Sequence, residues 1–160
     1  MKKLKLYLDT TIWNYPFETH SPERTAETLE FFKMVRMGLY EVFYSEMVAR
    51  EIEATQTPRR HLMDQLISEV APQMLEATNE VEQLALEYLN KSVLPKKSRF
   101  DAFHVAYSTI YQMDALVSWN FQHLANMNRR NRVLTVNREK GYNHLLELVT
   151  PLEVFSDEKN

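Results

Sequence analysis

The sequence predicts an α/β protein built on a mostly parallel, buried sheet, and two observations carry that expectation. Strand-like runs alternate with helical stretches from residue 4 onward, the pattern of βαβ crossovers. The chain also has the length and balance of a soluble globular protein with a sizeable core: 160 residues, 44% hydrophobic and 26% charged. It reads as one domain over residues 1–160, with an ordered core over about 4–155.

The elements follow in order. Leu4-Lys5-Leu6-Tyr7-Leu8 alternates leucines and stops on the polar tip Asp9-Thr10-Thr11, which predicts a strand. Ser21-Pro22-Glu23 is a helix start, with Ser21 as N-cap, and the helix carries Leu29, Phe32, Met34 and Val35 to a stop at Gly38. Glu41-Val42-Phe43-Tyr44 predicts a second strand, and Ser45 caps a helix running to about Thr55, before Pro58. Leu62, Leu66, Ile67 and Val70 share a helical face, as do Val81, Leu84, Ala85, Tyr88 and Leu89. After Pro95, Ser98-Arg99-Phe100-Asp101 opens a helix with a stripe of Phe100, Phe103, Tyr107, Ile110 and Tyr111. Strands are then expected at Ala115-Leu116-Val117, at Arg132-Val133-Leu134-Thr135-Val136 and at Leu152-Glu153-Val154-Phe155, before a frayed charged tail, Ser156–Asn160.

Composition excludes several function classes. With no cysteine there is no disulfide, Cys-ligated zinc, iron–sulfur cluster or thiol nucleophile. Two glycines, Gly38 and Gly141, cannot form a Gly-rich phosphate cradle. No run approaches ~18 apolar residues, so no membrane span is expected, and the N-terminus does not read as a signal peptide; a cytoplasmic protein is the expectation. The net charge of −3 gives no global basic field, yet Arg129, Arg130, Arg132, Arg138 and Lys140 face only Glu139 across residues 129–140. A smaller cluster, Lys96, Lys97 and Arg99, precedes Asp101. Such runs serve either as a solvated face or as a grip on a phosphate backbone.

In open parallel sheets, ligands sit beyond the carboxyl ends of the strands. Asp9 and Asn120 each follow directly on a predicted strand, Glu51 lies two turns along the helix after the second strand, and Asp101 lies in the first turn of the helix feeding the next. Each has an ordinary role available: a turn cap for Asp9, a solvated helix face for Glu51, a capping-box carboxylate for Asp101, a turn for Asn120. Taken together, three carboxylates in one cleft require a cation or a raised pKa. An oxygen-only donor set suits Mg²⁺ or Mn²⁺, and the chemistry implied is metal-assisted phosphodiester hydrolysis by an activated water. Phosphoryl transfer through an aspartyl nucleophile of the haloacid-dehalogenase pattern is set aside, because the second acid it needs two positions on is Thr11 here.

Tyr7-Leu8-Asp9-Thr10-Thr11-Ile12-Trp13, Ser45 through Glu51-Ile52, Asp101-Ala102-Phe103-His104-Val105-Ala106 and Leu116-Val117-Ser118-Trp119-Asn120 resemble, in order and spacing, the successive motifs of the PIN domain. Thr150-Pro151-Leu152-Glu153-Val154 is similar to that family's final strand. The resemblance implies a three-layer α/β/α sandwich, a Mg²⁺ or Mn²⁺ site and endonuclease activity on single-stranded RNA. It further implies a VapC-type toxin held by an antitoxin, and a homodimer. Carried over residue by residue, the catalytic and metal-site positions are Asp9, Glu51, Asp101 and Asn120, the last standing where the family commonly has Asp, which weakens the site's hold on a metal. Glu46, on the same helix, rivals Glu51. Thr10 or Thr11 corresponds to the small hydroxyl residue beside the first Asp. His104 and His123, three residues after Asp101 and Asn120, either hydrogen-bond a water of the site or are structural. Trp119 either stacks a base or packs, and Trp13-Asn14-Tyr15-Pro16-Phe17 either walls the cleft, contacts RNA or fills the core. The rival to an enzyme is a catalytically weak PIN-like module that binds RNA or protein; a DNA-directed nuclease is a third reading.

Overall fold

The computed structural model describes residues 2–95, 99–120 and 127–154. Five strands form one parallel sheet: β1 (Leu4–Leu8), β2 (Tyr40–Ser45), β3 (Gln73–Leu75), β4 (Ala115–Val117) and β5 (Glu147–Val149), in the order β3-β2-β1-β4-β5. The helices are α1 (Thr10–Asn14), α2 (Pro22–Arg36), α3 (Glu46–Glu53), α4 (Arg59–Val70), α5 (Asn79–Asn90), α6 (Arg99–Ile110) and α7 (Met127–Glu139), with a 3₁₀ turn at Tyr15–Phe17. Helices on both sides of the sheet make the three-layer α/β/α sandwich. Leu6, Tyr7 and Leu8 are all buried, so the central strand is covered on both faces, as the run of large apolar residues requires.

This order fixes where a site belongs. The chain leaves β1 for β2 on one side and returns beside β1 as β4 on the other, so the β1/β4 boundary is the switch point of the sheet. Tyr7 pairs with Leu116 and Leu8 with Val117, and the Asp9 amide donates to the Val117 carbonyl at 3.2 Å. The two strand tips therefore open side by side.

Most elements form where the sequence places them. Pro22 and Glu23 open α2, and Gly38, at φ +77°, turns the chain out of it in the left-handed region. Ser21, however, makes no side-chain cap; its carbonyl accepts from the Thr25 amide instead. Ser45 does cap α3, its Oγ accepting from the Val48 amide at 3.3 Å. Helix faces are shifted in places: α2 buries Thr28, Phe31, Phe32 and Val35 while Leu29 is exposed, and α4 buries Met63 and Leu66 while Leu62 is exposed. In α6 the expected stripe is only partly the core face: Tyr107 is buried and Phe103, Ile110 and Tyr111 pack at its margin, but Phe100 is exposed. The helix is buried also along Ala102, His104, Val105, Ala106, Ser108 and Thr109, and the small ones among these let it approach α5 closely.

Two expected strands are not strands. Arg132–Val136 lies inside α7: its β-branched residues favour extended backbone locally, but Val133, Val136 and Asn137 are buried at helical spacing and anchor the segment. Leu152–Val154 belongs to a helical turn over residues 151–154, the Val154 amide donating to the Thr150 carbonyl at 3.3 Å. The last strand is instead β5, five residues earlier, and the short β3 had no legible pattern. Lys96, Lys97, the Ser98 cap, His123, Phe155 and the tail over 156–160 lie outside the described residues.

Candidate metal and phosphodiester site

The switch point gathers the polar residues. Asp9 is 3% exposed and caps α1: its Oδ1 accepts from the Thr11 amide at 3.0 Å and from the Thr11 hydroxyl at 2.5 Å, and its Oδ2 accepts from the Ser118 hydroxyl at the tip of β4. The same two hydroxyls hold the β4 tip in place, since the amides of Trp119 and Asn120 donate to Thr11 Oγ1 and Ser118 Oγ, both at 2.9 Å. Burial pushes the Asp9 carboxyl up to about 6; His104 and the Ser118 and Thr11 hydrogen bonds pull it down, and the charge of Asp101 raises it further. Asp101, in the first turn of α6, thus acts on Asp9 across the cleft.

Glu51 lies in α3 and lines a cleft of about 590 Å³ together with Thr10, Thr11, Asn14, Thr55 and Arg59. Its Oε1 is 2.9 Å from His104 Nε2. His104 is buried, and its Nδ1 lies 2.6 Å from the Tyr7 hydroxyl, which lies 2.7 Å from Ser45 Oγ. Burial lowers the His104 pKa, but the Glu51 hydrogen bond and the charges of Asp9, Glu51 and Asp101 outweigh it, so the ring is held above its ordinary value. Burial likewise raises Tyr7 well above the usual range, keeping it a phenol. Glu46 turns elsewhere: its Oε2 accepts from the Ala77 amide at 3.0 Å, in the connection between β3 and α5.

The other expected site residues divide. Thr10 Oγ1 is buried beside Asp9 without a hydrogen-bond partner. Asn120 is exposed at the β4 tip. Trp119 is half-buried and built in: its Nε1 donates to Thr28 Oγ1 at 2.8 Å, its ring lies 5.8 Å from that of Tyr15, and the Arg24 guanidinium sits 5.2 Å from its centroid. In the aromatic run, Trp13 is a core residue, its Nε1 donating to the Leu8 carbonyl at 3.3 Å. On the helical α7, the arginines do not share one face. Arg132 and Arg138 are exposed, whereas Arg129 and Arg130 flank the buried Val133 and are half-buried.

Sequence reasoning did not single out Tyr7, Ser118 or Arg59. A lone hydroxyl among the leucines of β1 and a serine directly at a strand end were the available signals. Arg59 gave none; only the fold brings its guanidinium to Asn14 Oδ1 at 2.7 Å, Glu18 Oε1 at 2.6 Å and the Phe17 carbonyl at 3.0 Å.

The donor set is one of hard oxygens on three elements: Asp9 after β1, Glu51 on α3 and Asp101 on α6. Among the described residues no three His, Asp or Glu side chains converge tightly enough to hold an ion alone. Mg²⁺ takes one or two carboxylates and completes its shell with water and substrate phosphate, so a pair of these acids could hold it. The unpartnered Thr10 hydroxyl adds a further oxygen at the same place.

The five-stranded parallel sheet with helices on both sides is a PIN-like fold. The chain is similar to the Mycobacterium tuberculosis toxin VapC20, which cleaves the sarcin–ricin loop: 14% identity, covering 76% of this chain and 95% of that one, with a TM-score of 0.57. It is similar also to a chain of VapBC2 from Rickettsia felis, solved bound to a DNA fragment from their promoter: 14% identity, 91% and 98% covered, TM-score 0.56. No protein-family model and no curated protein matches the chain. Among the described residues no helix is long and apolar enough to cross a membrane.

Proposed function

We propose that this chain is a single PIN-like domain acting as a metal-dependent endoribonuclease that hydrolyses single-stranded RNA phosphodiesters with Mg²⁺ or Mn²⁺. The observation that carries the reading is Asp9, a buried carboxyl pushed up to about 6 at the sheet's switch point with the charge of Asp101 bearing on it. A protein keeps such a group at a cost to its stability, and a cation between the acids relieves it. Asp9, Glu51 and Asp101 are the residues to hold the ion, with Asn120 as a neutral ligand or water anchor.

A bound divalent ion supplies a water acidic enough to attack at neutral pH and polarises the phosphoryl oxygen. The chain's own groups set the geometry. Ser118 and Thr11 lock both oxygens of Asp9, Thr10 offers its hydroxyl alongside, and the Trp119 and Asn120 amides tie the β4 tip to the same hydroxyls. Arg129 and Arg130, in the first turn of α7, are the arginines we assign to the RNA backbone. Arg138 lies one residue after Asn137, which packs at the far end of α6, so it serves a longer track. Trp119, packed as it is, offers at most a ring edge to a base.

The similarity to VapC20 and VapBC2 supports a toxin of a toxin–antitoxin pair with an antitoxin protein as partner; a homodimer as the assembled form and the cytoplasm as the place of action complete the proposal. The test is cleavage of single-stranded RNA and of its all-deoxy counterpart, with Mn²⁺ and with EDTA, by the wild type and Asp101→Asn. RNA cleavage that needs Mn²⁺ and is lost in Asp101→Asn supports the reading. RNA binding unaffected by metal, with no cleavage, would identify a binding module instead, and equal cleavage of the deoxy strand a nuclease without RNA preference.

A further inference from the structure

Resting on the metal-site reading above, we propose that His104 is a positioning residue: hydrogen-bonded to Tyr7, which is bonded in turn to Ser45, it fixes the Glu51 carboxylate for the ion. An ionised carboxylate can only accept, so His104 Nε2 carries the hydrogen donated to Glu51 Oε1 at 2.9 Å. On the other side of the ring, Nδ1 and the Tyr7 hydroxyl share a hydrogen bond at 2.6 Å, and the Tyr7 and Ser45 hydroxyls share another at 2.7 Å; with the ring neutral these run from Ser45 through Tyr7 to Nδ1, and with it protonated both reverse. Ser45 Oγ in turn accepts from the Val48 amide, in the first turn of the helix that carries Glu51. The loop closes on itself, from α3 through β1 and α6 back to α3.

Its consequences follow from burial and placement. His104 is 3% exposed and both its ring nitrogens are spent, so it touches no substrate and acts only through Glu51. It lies on α6 one turn from Asp101, and its partner lies on α3, so this bond ties the helix that carries Asp101 to the side chain of Glu51. With Oε1 held by His104, Oε2 is the oxygen left for an ion. A long, otherwise free carboxylate is thereby ordered before the ion arrives, the role that partners behind metal ligands play elsewhere.

Mn²⁺ binding to the full-length chain, followed by the electron paramagnetic resonance of the free ion, reads this without any substrate. His104→Leu, which keeps bulk but no polar atom, is expected to bind Mn²⁺ about 10–100-fold more weakly than wild type. His104→Gln, whose amide can still donate to Glu51, is expected to recover most of that loss. Tyr7→Phe, which frees Nδ1 at almost constant volume, should fall between them and serves if His104→Leu does not fold. Wild-type affinity in His104→Leu or Tyr7→Phe overturns the positioning role, as does His104→Gln as weak as His104→Leu. A wild type that binds no Mn²⁺ overturns the metal-site reading itself, and this inference with it.

Discussion

At its last turn α6 buries Thr109 against Tyr88 and Asn137; at its first turns it carries Asp101 and His104 toward Asp9 and Glu51. Both clusters are polar and buried, yet they are built differently. In the first, Tyr88 donates to Asn137 Oδ1 and Asn137 Nδ2 donates to Thr109 at 3.2 Å, so neutral groups satisfy one another and fasten α7 to α5 and α6. In the second, acids are brought together with one buried imidazole between them, and burial raises the pKa of Asp9. A fold gains nothing from the second arrangement that the first does not provide. On the proposed function, the difference separates a structural polar cluster from one kept for binding a cation.

The sharpest break between the two is functional. Asp9→Asn keeps the shape of the side chain and removes its charge, and is expected to lower Mn²⁺-dependent RNA cleavage by more than about 100-fold, beyond the loss typical of groups behind a metal ligand. Single-turnover cleavage at saturating Mn²⁺ checks it; activity within a few-fold of wild type would remove Asp9 from the machinery. Asn137→Ala attacks the other cluster. It strands the Tyr88 hydroxyl and leaves a cavity, so a loss of roughly 2–4 kcal/mol is expected by urea unfolding. Metal-dependent cleavage per folded molecule should not change. If cleavage falls with stability held, the two ends of α6 are coupled, and the contrast between them fails.

The two clusters were unequally legible. The places of Asp9, Glu51, Asp101 and Asn120 in the fold could be read because each sits at a fixed offset from a strand or helix, and the strands at Leu4, Tyr40 and Ala115 announce themselves locally. Asn137 could not, because a buried asparagine in an Arg-rich run looks like surface, and the same run's Val133, Thr135 and Val136 read as a strand. What makes it a helix is non-local: Tyr88 and Thr109 offer a partner only to a residue presented at helical spacing. The β5 strand was displaced for a related reason. Leu148 and Val149 owe their pairing to Leu116 and Val117, whereas Leu152–Val154 had the better isolated pattern.

Charge burial also gives the acid cluster a pH signature. Asp9 is raised from its ordinary 3.8 to about 6 on folding, so between those values the folded state binds more protons than the unfolded one. Stability of the metal-free protein therefore falls as pH rises through that window, by up to about 3 kcal/mol. The raised His104 has the same sign, its contribution being lost as pH rises past its folded value. Urea unfolding in EDTA at pH 4.5 and pH 7.5 measures the combined drop, taking those as roughly the two ends of the window. Asp9→Asn should show a smaller drop, and saturating Mn²⁺ should reduce it in wild type. An equal drop in wild type and Asp9→Asn would mean that Asp9 is not the strained group.

Glu18, at the rim of the same cleft, supplies the opposite sign and the smallest effect. The Arg59 hydrogen bond outweighs a small cost of burial and, with Asn14 and His20, brings the Glu18 carboxyl down to about 2. Its stabilisation is present above the ordinary value of 4.5 and is lost as pH falls toward about 2. Arg59 holds the 3₁₀ turn at Tyr15–Phe17 to α4 through Glu18, Asn14 and the Phe17 carbonyl. Arg59→Met keeps the stem and removes these bonds, and is expected to cost roughly 1–2 kcal/mol near neutral pH, narrowing below about pH 4 as Glu18 protonates. A deficit that stays constant with pH would assign Arg59 to packing. A narrowing one shows that the rim carboxylate is already paired by the chain itself, unlike Asp9, and so is no candidate for the cation.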